Sequence, residues 1–262
     1  MNVFITGSAG GLGRVIATEC SRRGYHLFLT DINEDGLYCI KRGLERQFST
    51  TVNMMACDLT SSVSVDQMLA VIDRLGIDFD MLLNIAGIEC EGDFLGRARE
   101  DVVSIVSVND AATLRITHAI LQRRKVERHF IVVFVASLAA MFPMPYKATY
   151  AASKRFLLDF SLALRQELKK QNVNVLAFCP GGMVTTNEAI EGIAVQGIWG
   201  DITTNPLAQI ARKMIDRALS GRSMYLPGFM NHVLCIFSKV IPRSWLASMI
   251  YWRWTATQNK GH

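Results

Sequence analysis

The chain has 262 residues, half of them apolar, and 28 Lys+Arg against 23 Asp+Glu give a net charge of +5. This length permits one large α/β domain, and the apolar content excludes disordered, collagen-like and coiled-coil chains. So modest a charge, with no block of like charges, argues against a nucleic-acid partner.

The apolar run Asn2–Thr6 is predicted as the first strand, and a helix-period segment, Leu12–Arg23, follows at once. Further strands are predicted at His26–Asp31, Val52–Cys57, Met81–Asn84, Phe130–Ala136, Val173–Phe178 and Ser223–Leu226. Helices are predicted near Glu34–Phe48, Ser62–Leu75, Ala98–Arg123, Tyr150–Gln171 and Pro206–Ser220. Strands alternating with helices are the pattern of βαβ units. Right-handed crossovers assemble such units into a doubly wound parallel sheet of about seven strands in a three-layer α/β sandwich. Pro143 and Pro145 break the uncharged run from Phe130 to Tyr146, so it reads as an inner strand leading into a loop.

Six cysteines, Cys20, Cys39, Cys57, Cys90, Cys179 and Cys235, form no C-x-x-C pair, and no histidine stands at a metal-ligand spacing. Buried, reduced thiols in a cytoplasmic protein are expected, with no metal site. The chain opens directly on Val3-Phe4-Ile5 with no basic leader, so no secretory signal is expected.

Between the first strand and its helix lies Thr6-Gly7-Ser8-Ala9-Gly10-Gly11-Leu12-Gly13. Glycines here let the backbone turn tightly and approach a pyrophosphate, which the N–H groups and dipole of the helix N-terminus would meet. A tight strand-to-helix turn without a ligand uses the same residues. Asp31, at the end of the second strand, is placed to bond a ribose 2′-hydroxyl and repel a 2′-phosphate, favouring NAD over NADP; a turn or capping role before Asn33-Glu34-Asp35-Gly36 is the competing reading. Asp58 could accept from an adenine amino group or cap the helix that starts at Ser61-Ser62.

Downstream come Asn84-Ile85-Ala86-Gly87, Ser107-Val108-Asn109, Ser137, Tyr150-Ala151-Ala152-Ser153-Lys154 and Pro180-Gly181. With Thr6, Gly7, Gly11 and Gly13, this ordered set resembles the short-chain dehydrogenase/reductase family over residues 2–226. The resemblance implies a Rossmann-type fold and an NAD(P)-dependent oxidoreductase. Its catalytic residues would be Asn109, Ser137, Tyr150 and Lys154, with Asn109 kinking its helix and holding a relay water. It further implies cofactor contacts from Thr6, Gly7, Ser8, Gly11, Leu12, Gly13, Asp31, Asp58, Leu59, Asn84, Ala86, Gly87, Tyr150, Lys154, Pro180, Gly181, Met183 and Thr185. Substrate contacts would come from Ser137, Leu138, Tyr150 and Trp199. Two residues depart from the family pattern: Ile85 stands where a second Asn is usual, and Asp110 follows Asn109 where an apolar residue is usual.

Chemistry explains these residue types. Tyr150 and Lys154 are i and i+4 on one helical face. A free phenol titrates near ~10, and a neighbouring ammonium together with a cationic nicotinamide is expected to lower it by ~2–3 units. Ser137 would bond the substrate oxygen as its charge changes. Ile190, Ile193, Val195, Ile198 and Trp199, in a segment that is a mobile lid in the family, combine with Leu138, Met141, Phe142, Met144 and Tyr146 to suggest an apolar pocket. A hydrophobic ketone, aldehyde or secondary alcohol is the expected substrate. A non-catalytic, dinucleotide-responsive regulator of the same fold is the alternative, and epimerase or dehydratase chemistry also stays open within the family.

Residues 1–226 are expected to form the cofactor-binding and catalytic domain, and residues 227–262 a helical extension with helices at 229–239 and 244–254. Trp245, Tyr251, Trp252 and Trp254 lie there among Lys239, Arg243 and Arg253. Three readings fit this composition: a cap on the substrate pocket, a subunit interface of a homodimer or homotetramer, and peripheral contact with a membrane surface.

Overall fold

Each strand of the sheet feeds two apolar cores at once, because successive side chains point to opposite faces. Val3 and Ile5 enter one core while Phe4 enters the other, and Ile131, Val133 and Val135 alternate in the same way with Phe130, Val132 and Phe134. Both faces are therefore covered by helices, which is why the strands are continuously apolar. A computed structural model describes residues 1–183 and 206–258. Within them the strands are β1 (Asn2–Thr6), β2 (His26–Asp31), β3 (Val52–Ala56), β4 (Met81–Asn84), β5 (Phe130–Val135), β6 (Val173–Phe178) and β7 (Met224–Tyr225). All pair in parallel in the order β3-β2-β1-β4-β5-β6-β7.

Helices α1 (Gly11–Arg22), α2 (Glu34–Gln47) and α7 (Leu207–Leu219) pack on one face. Helices α3 (Ser62–Leu75), α5 (Thr113–Arg123) and α6 (Ala148–Glu167) pack on the other. Local signals set their starts. Asn33 caps α2 by accepting from the Gly36 N–H at 2.9 Å, and Ser61 caps α3 by accepting from the Ser64 N–H at 3.3 Å. Two further helices, α8 (Phe229–Val240) and α9 (Arg243–Gln258), follow β7. Among the described residues no helix is long and apolar enough to cross a membrane.

The structure departs from the sequence expectation in one instructive place. The predicted single helix Ala98–Arg123 is α4 (Arg99–Val106), a wide π turn over Ser107–Ala112, and then α5. A π turn accommodates one extra residue and redirects side chains, and here it aims Asn109 at the chain following β4. Thiol burial also differs from expectation: Cys39 is exposed on α2 and Cys90 is half-buried, whereas Cys20, Cys57, Cys179 and Cys235 are buried.

Between β1 and β4 the strand order reverses, so the loops that leave these two strands diverge and open a crevice at the C-terminal edge of the sheet. Beneath it three phenylalanines interlock: Phe4 meets Phe28 edge-on at 5.3 Å and stacks on Phe79 at 5.4 Å. Replacing Phe4 by Ala should destabilise the chain by about 3–5 kcal/mol, read as a lower urea midpoint at unchanged slope; a loss below about 1 kcal/mol would show that this cluster does not support the sheet.

Candidate active site

The glycine-rich turn sits at the strand-order reversal and is fixed by its neighbours. The buried Thr6 hydroxyl accepts from the Ile85 and Ala86 N–H groups at 3.1 and 3.2 Å, tying β1 to the chain after β4. Gly7 has φ +66°, and a Cβ on it would stand 2.6 Å from the Ala86 backbone. A Cβ on Gly13 would collide with the Gly7 carbonyl. Only glycine fits at either position. The first turn of α1 carries no carboxylate and its cap residue, Gly10, offers no side chain, whereas α2 begins with Glu34 and Asp35. An uncompensated positive helix end over a glycine cradle is the arrangement a pyrophosphate requires, so these residues fit a dinucleotide.

Ser8 and Leu12 are buried within the turn itself: Ser8 donates to the Ile5 carbonyl at 2.8 Å, and Leu12 packs in the core. Asp31 lies at the end of β2 as expected, and its carboxylate accepts from the Ala9 N–H at 2.9 Å and the Asn33 N–H at 3.0 Å. It therefore braces the glycine turn. Asp58 accepts from the Thr60 N–H and hydroxyl at 2.9 and 2.7 Å, and these bonds hold its carboxyl below the ordinary range. That is turn chemistry just before α3, whose cap is Ser61 and not Asp58, and Leu59 turns into the core. Asn84 likewise faces inward, donating to the Thr117 hydroxyl on α5 at 3.0 Å. Its neighbour Ile85 packs among Val3, Ile5 and Leu83, which explains an apolar residue at this position.

The hydroxyls of Ser137 and Tyr150 come together. Ser137 follows β5, accepts from the Ala139 N–H at 3.1 Å and lies close enough to the Tyr150 phenol to favour its ionised form. Lys154, one turn beyond Tyr150 on α6, is 4% exposed and donates from Nζ to the Val135 carbonyl at 2.8 Å. Burial pulls its ammonium down to about 8, while the Asp110 and Glu89 charges oppose that shift. Asp110, itself buried, is pushed up to about 6 by burial against the pull of Lys154. Gly87 makes room for this group, since a Cβ there would lie 3.1 Å from Asn109 Oδ1 and 3.2 Å from Lys154 Nζ.

The expected lowering of Tyr150 involves an ammonium and a cationic nicotinamide together; in the chain by itself burial dominates the phenol. Burial raises the phenol, the Glu89 charge adds to the rise, and only the nearby Ser137 hydroxyl opposes it. Lys154 Nζ lies 5.7 Å from the Tyr150 ring centroid and is committed to the Val135 carbonyl. Asn109 is fully buried as a clamp: Oδ1 accepts from the Ile88 N–H at 2.8 Å, and Nδ2 lies 3.0 Å from the Ile88 carbonyl and 3.1 Å from the Ser153 hydroxyl. Its side chain thus joins the loop after β4 to α6.

Three residues at this site carried no functional reading in the sequence. Ser153 is held by Asn109, and Glu89 and Glu91 both pair with Lys147 at the start of α6. Only the adjacency of Ser153 to Lys154 could have signalled any of them. Leu138 donates its N–H to the Pro180 carbonyl at 2.7 Å, linking the Ser137 turn to the chain after β6, where Gly181 and Met183 are half-buried. Thr185, Trp199 and the predicted lid residues lie outside the described residues.

Comparison with known proteins agrees with this geometry. The family model described as short chain dehydrogenase matches residues 1–192. The very-long-chain 3-oxoacyl-CoA reductase of Laccaria bicolor is 30% identical over 174 residues, covering 65% of this chain and 51% of that protein. The Neurospora crassa protein of the same name is 31% identical over 175 residues, covering 65% and 52%. The chain thus spans about half the length of these curated relatives. Among solved structures, the L-sorbose reductase from Gluconobacter frateurii complexed with NADPH and L-sorbose superposes with a TM-score of 0.77 at 23% identity, covering 87% of this chain and 94% of that one. A 3-oxoacyl-[acyl-carrier protein] reductase with bound NAD from Brucella melitensis gives 0.74 at 24% identity, covering 87% and 89%. Both show a shared fold. By the match of the family model to most of its length, the chain belongs to the short-chain dehydrogenase family.

Proposed function

We propose that the chain is an NAD(P)-dependent oxidoreductase that interconverts an apolar ketone or aldehyde and the corresponding alcohol, acting as a carbonyl reductase. The observation that carries this reading is the meeting of the Ser137 and Tyr150 hydroxyls above the buried Lys154, beside the glycine cradle at the strand-order reversal. A bound nicotinamide dinucleotide supplies the hydride; the chain manages the proton. Tyr150, held as a neutral phenol by burial, gives its Oη proton to the substrate oxygen as that oxygen gains charge. Ser137 bonds the same oxygen, and with cofactor bound the oxidised nicotinamide and the charged Lys154 would together stabilise the phenolate left behind. An intact acid, donor and ammonium favour this reading over a non-catalytic regulator.

NAD is favoured over NADP. Two of the roughly four acceptor positions of the Asp31 carboxylate are used by Ala9 and Asn33, leaving others for ribose hydroxyls. Its negative charge opposes a 2′-phosphate, and Gly10 offers no cation there. An apolar substrate is supported by the environment of Lys147, the cation at the start of α6, which Glu89 and Glu91 neutralise. Phe94, Val102, Ile105 and Tyr146 line the adjoining cavity. Among the described residues that line it, Arg97 is the one cation. The relatives named 3-oxoacyl-CoA reductases make long-chain 3-oxoacyl thioesters the first substrates to test. A homodimer or homotetramer belongs to this reading through the family resemblance.

With NADH and NADPH against long-chain 3-oxoacyl thioesters, bulky ketones and small 2-oxo acids, oxidation of NADH followed at its absorbance should occur with the apolar carbonyls. Turnover of the small charged acids alone would overturn the reading. Tyr150→Phe should lower kcat by about 10²–10⁴, and full activity in that variant would remove Tyr150 from the chemistry.

A pH profile tests Asp110. Reduction should decline as pH rises through about 8, where Lys154 loses its charge. The Asp110 carboxylate raises the Lys154 value, so Asp110→Asn should move this decline to lower pH. An unshifted profile in a folded Asp110→Asn protein would exclude the electrostatic role.

A further inference from the structure

The charge of this chain is unevenly spread along its sequence, and residues 227–262 carry Lys239, Arg243, Arg253 and Lys260 with no Asp or Glu. Six of its 28 Lys+Arg, and none of its 23 Asp+Glu, lie beyond Asp216. Up to that residue the chain is close to neutral. The carboxylate-free stretch contains α8 and α9, and both turn apolar side chains outward. On α8 the exposed residues Phe229, Ile236 and Val240 recur at i, i+7 and i+11, while Asn231 and Cys235 point into the protein. On α9 the exposed residues Trp245, Met249 and Trp252 recur at i, i+4 and i+7, while Leu246 is buried. Exposures of 83% at Phe229, 78% at Val240 and 72% at Trp252 are far from a core position. Each helix thus has an inner face bound to the protein and an outer apolar stripe at helical spacing.

We propose that the outer stripes of α8 and α9 dock on an anionic lipid surface. Charge complementarity selects this occupant. Two copies of the chain meeting face to face would bring their carboxylate-free segments together, whereas anionic headgroups neutralise them. Composition agrees, because tryptophans beside basic residues suit the boundary between headgroups and acyl chains. The helices lie on the surface and do not cross it. With 16 residues, α9 is about 24 Å long at ~1.5 Å per residue, short of a hydrocarbon core of ~30 Å, and α8 has 12 residues.

Docking at this place brings the surface beside the candidate active site. Helix α8 packs on the Leu138–Met141 turn that follows Ser137. From α9, Tyr251 stacks on Tyr146 with centroids 5.9 Å apart, and Trp254 tilts onto the same ring at 6.4 Å. Tyr146 lines the cavity next to the site. The inference stands on charge and exposure and does not depend on which carbonyl is reduced.

The test is sedimentation of the full chain with vesicles of phosphatidylcholine alone and of phosphatidylcholine containing phosphatidylglycerol. The chain should pellet with the anionic vesicles, remain in solution with the neutral ones and be released by salt. Arg243→Gln should weaken binding about fivefold, the effect of one basic residue near an anionic surface. A Trp245→Ser, Trp252→Ser double variant should lose binding while keeping its circular dichroism and its activity on a water-soluble carbonyl. The proposal fails if the parent chain stays in solution with both vesicles, binds both equally, or binds no better than the double variant. It also fails if light scattering shows that the double substitution dissociates an oligomer while the parent ignores vesicles, for then a second copy covers this face.

Discussion

A cationic side chain in the interior of a sheet protein organises much of what surrounds it. Lys154 has almost no contact with solvent, and an ammonium so placed is tolerated only where acceptors and opposite charge replace its water. The end of β5 supplies the Val135 carbonyl, the π turn supplies Asp110, and Gly87 leaves the space a side chain would occupy. Each of these comes from a different segment, so the buried charge is satisfied only when β4, β5, α6 and the π turn are in place together. Lys154 settles near 8, still charged at neutral pH but close to losing its proton. The same constraint explains why Asp110 and not an apolar residue follows Asn109 in this chain: an apolar residue there would leave the ammonium with less opposing charge.

Much of this architecture was legible from the residues. Continuous apolar strands such as Phe130–Val135 announce a sheet covered on both faces, and β1, β2, β4 and β6 begin and end where alternation and flanking polar residues place them. The glycine turn was legible because its steric demands are local: Gly7 and Gly13 are forced by backbone a few residues or one strand away. What escaped depends on contacts distant in sequence. The interruption at Asn109 follows the kink the resemblance implied, but its form, a π turn over Ser107–Ala112 tied by bonds from Asn109 to Ile88 and Ser153, has no signal in the helical period. The bond from Asn84 to Thr117 is likewise set by tertiary placement, and those from Thr60 to Asp58 by the local turn, beside whatever contact either residue makes to a cofactor. The phenol of Tyr150 rises because burial and Glu89 outweigh what the i, i+4 spacing suggested, and no pattern within α6 encodes that balance.

Asp31 shows how two readings of one residue can both hold. Its carboxylate accepts from Ala9 in the glycine turn and from Asn33, the residue that caps α2. Bracing the turn and facing a ribose are compatible because a carboxylate has about four acceptor positions and the turn uses two. If Asp31 also faces the ribose as proposed, cofactor preference and loop geometry would be coupled through one side chain. A substitution intended to admit a 2′-phosphate also frees the Ala9 N–H and loosens the turn that receives the pyrophosphate, so at this position specificity and affinity change together.

The C-terminal helices extend the same logic from the site to its surroundings. A reductase acting on an apolar carbonyl must take its substrate from wherever that molecule partitions, and long acyl chains partition into lipid before water. Tyr146 has φ +63°, an unusual conformation for a non-glycine residue, and its ring is held between the cavity wall and the aromatic end of α9. Backbone strain of this kind persists only where surrounding contacts fix it. The stacked ring thus joins two surfaces of different chemistry, the Ser137 and Tyr150 side of the sheet and the outward apolar stripes of α8 and α9. If those stripes seat in a lipid boundary as proposed, the cavity mouth would lie near the depth where an apolar carbonyl resides, shortening its passage through water.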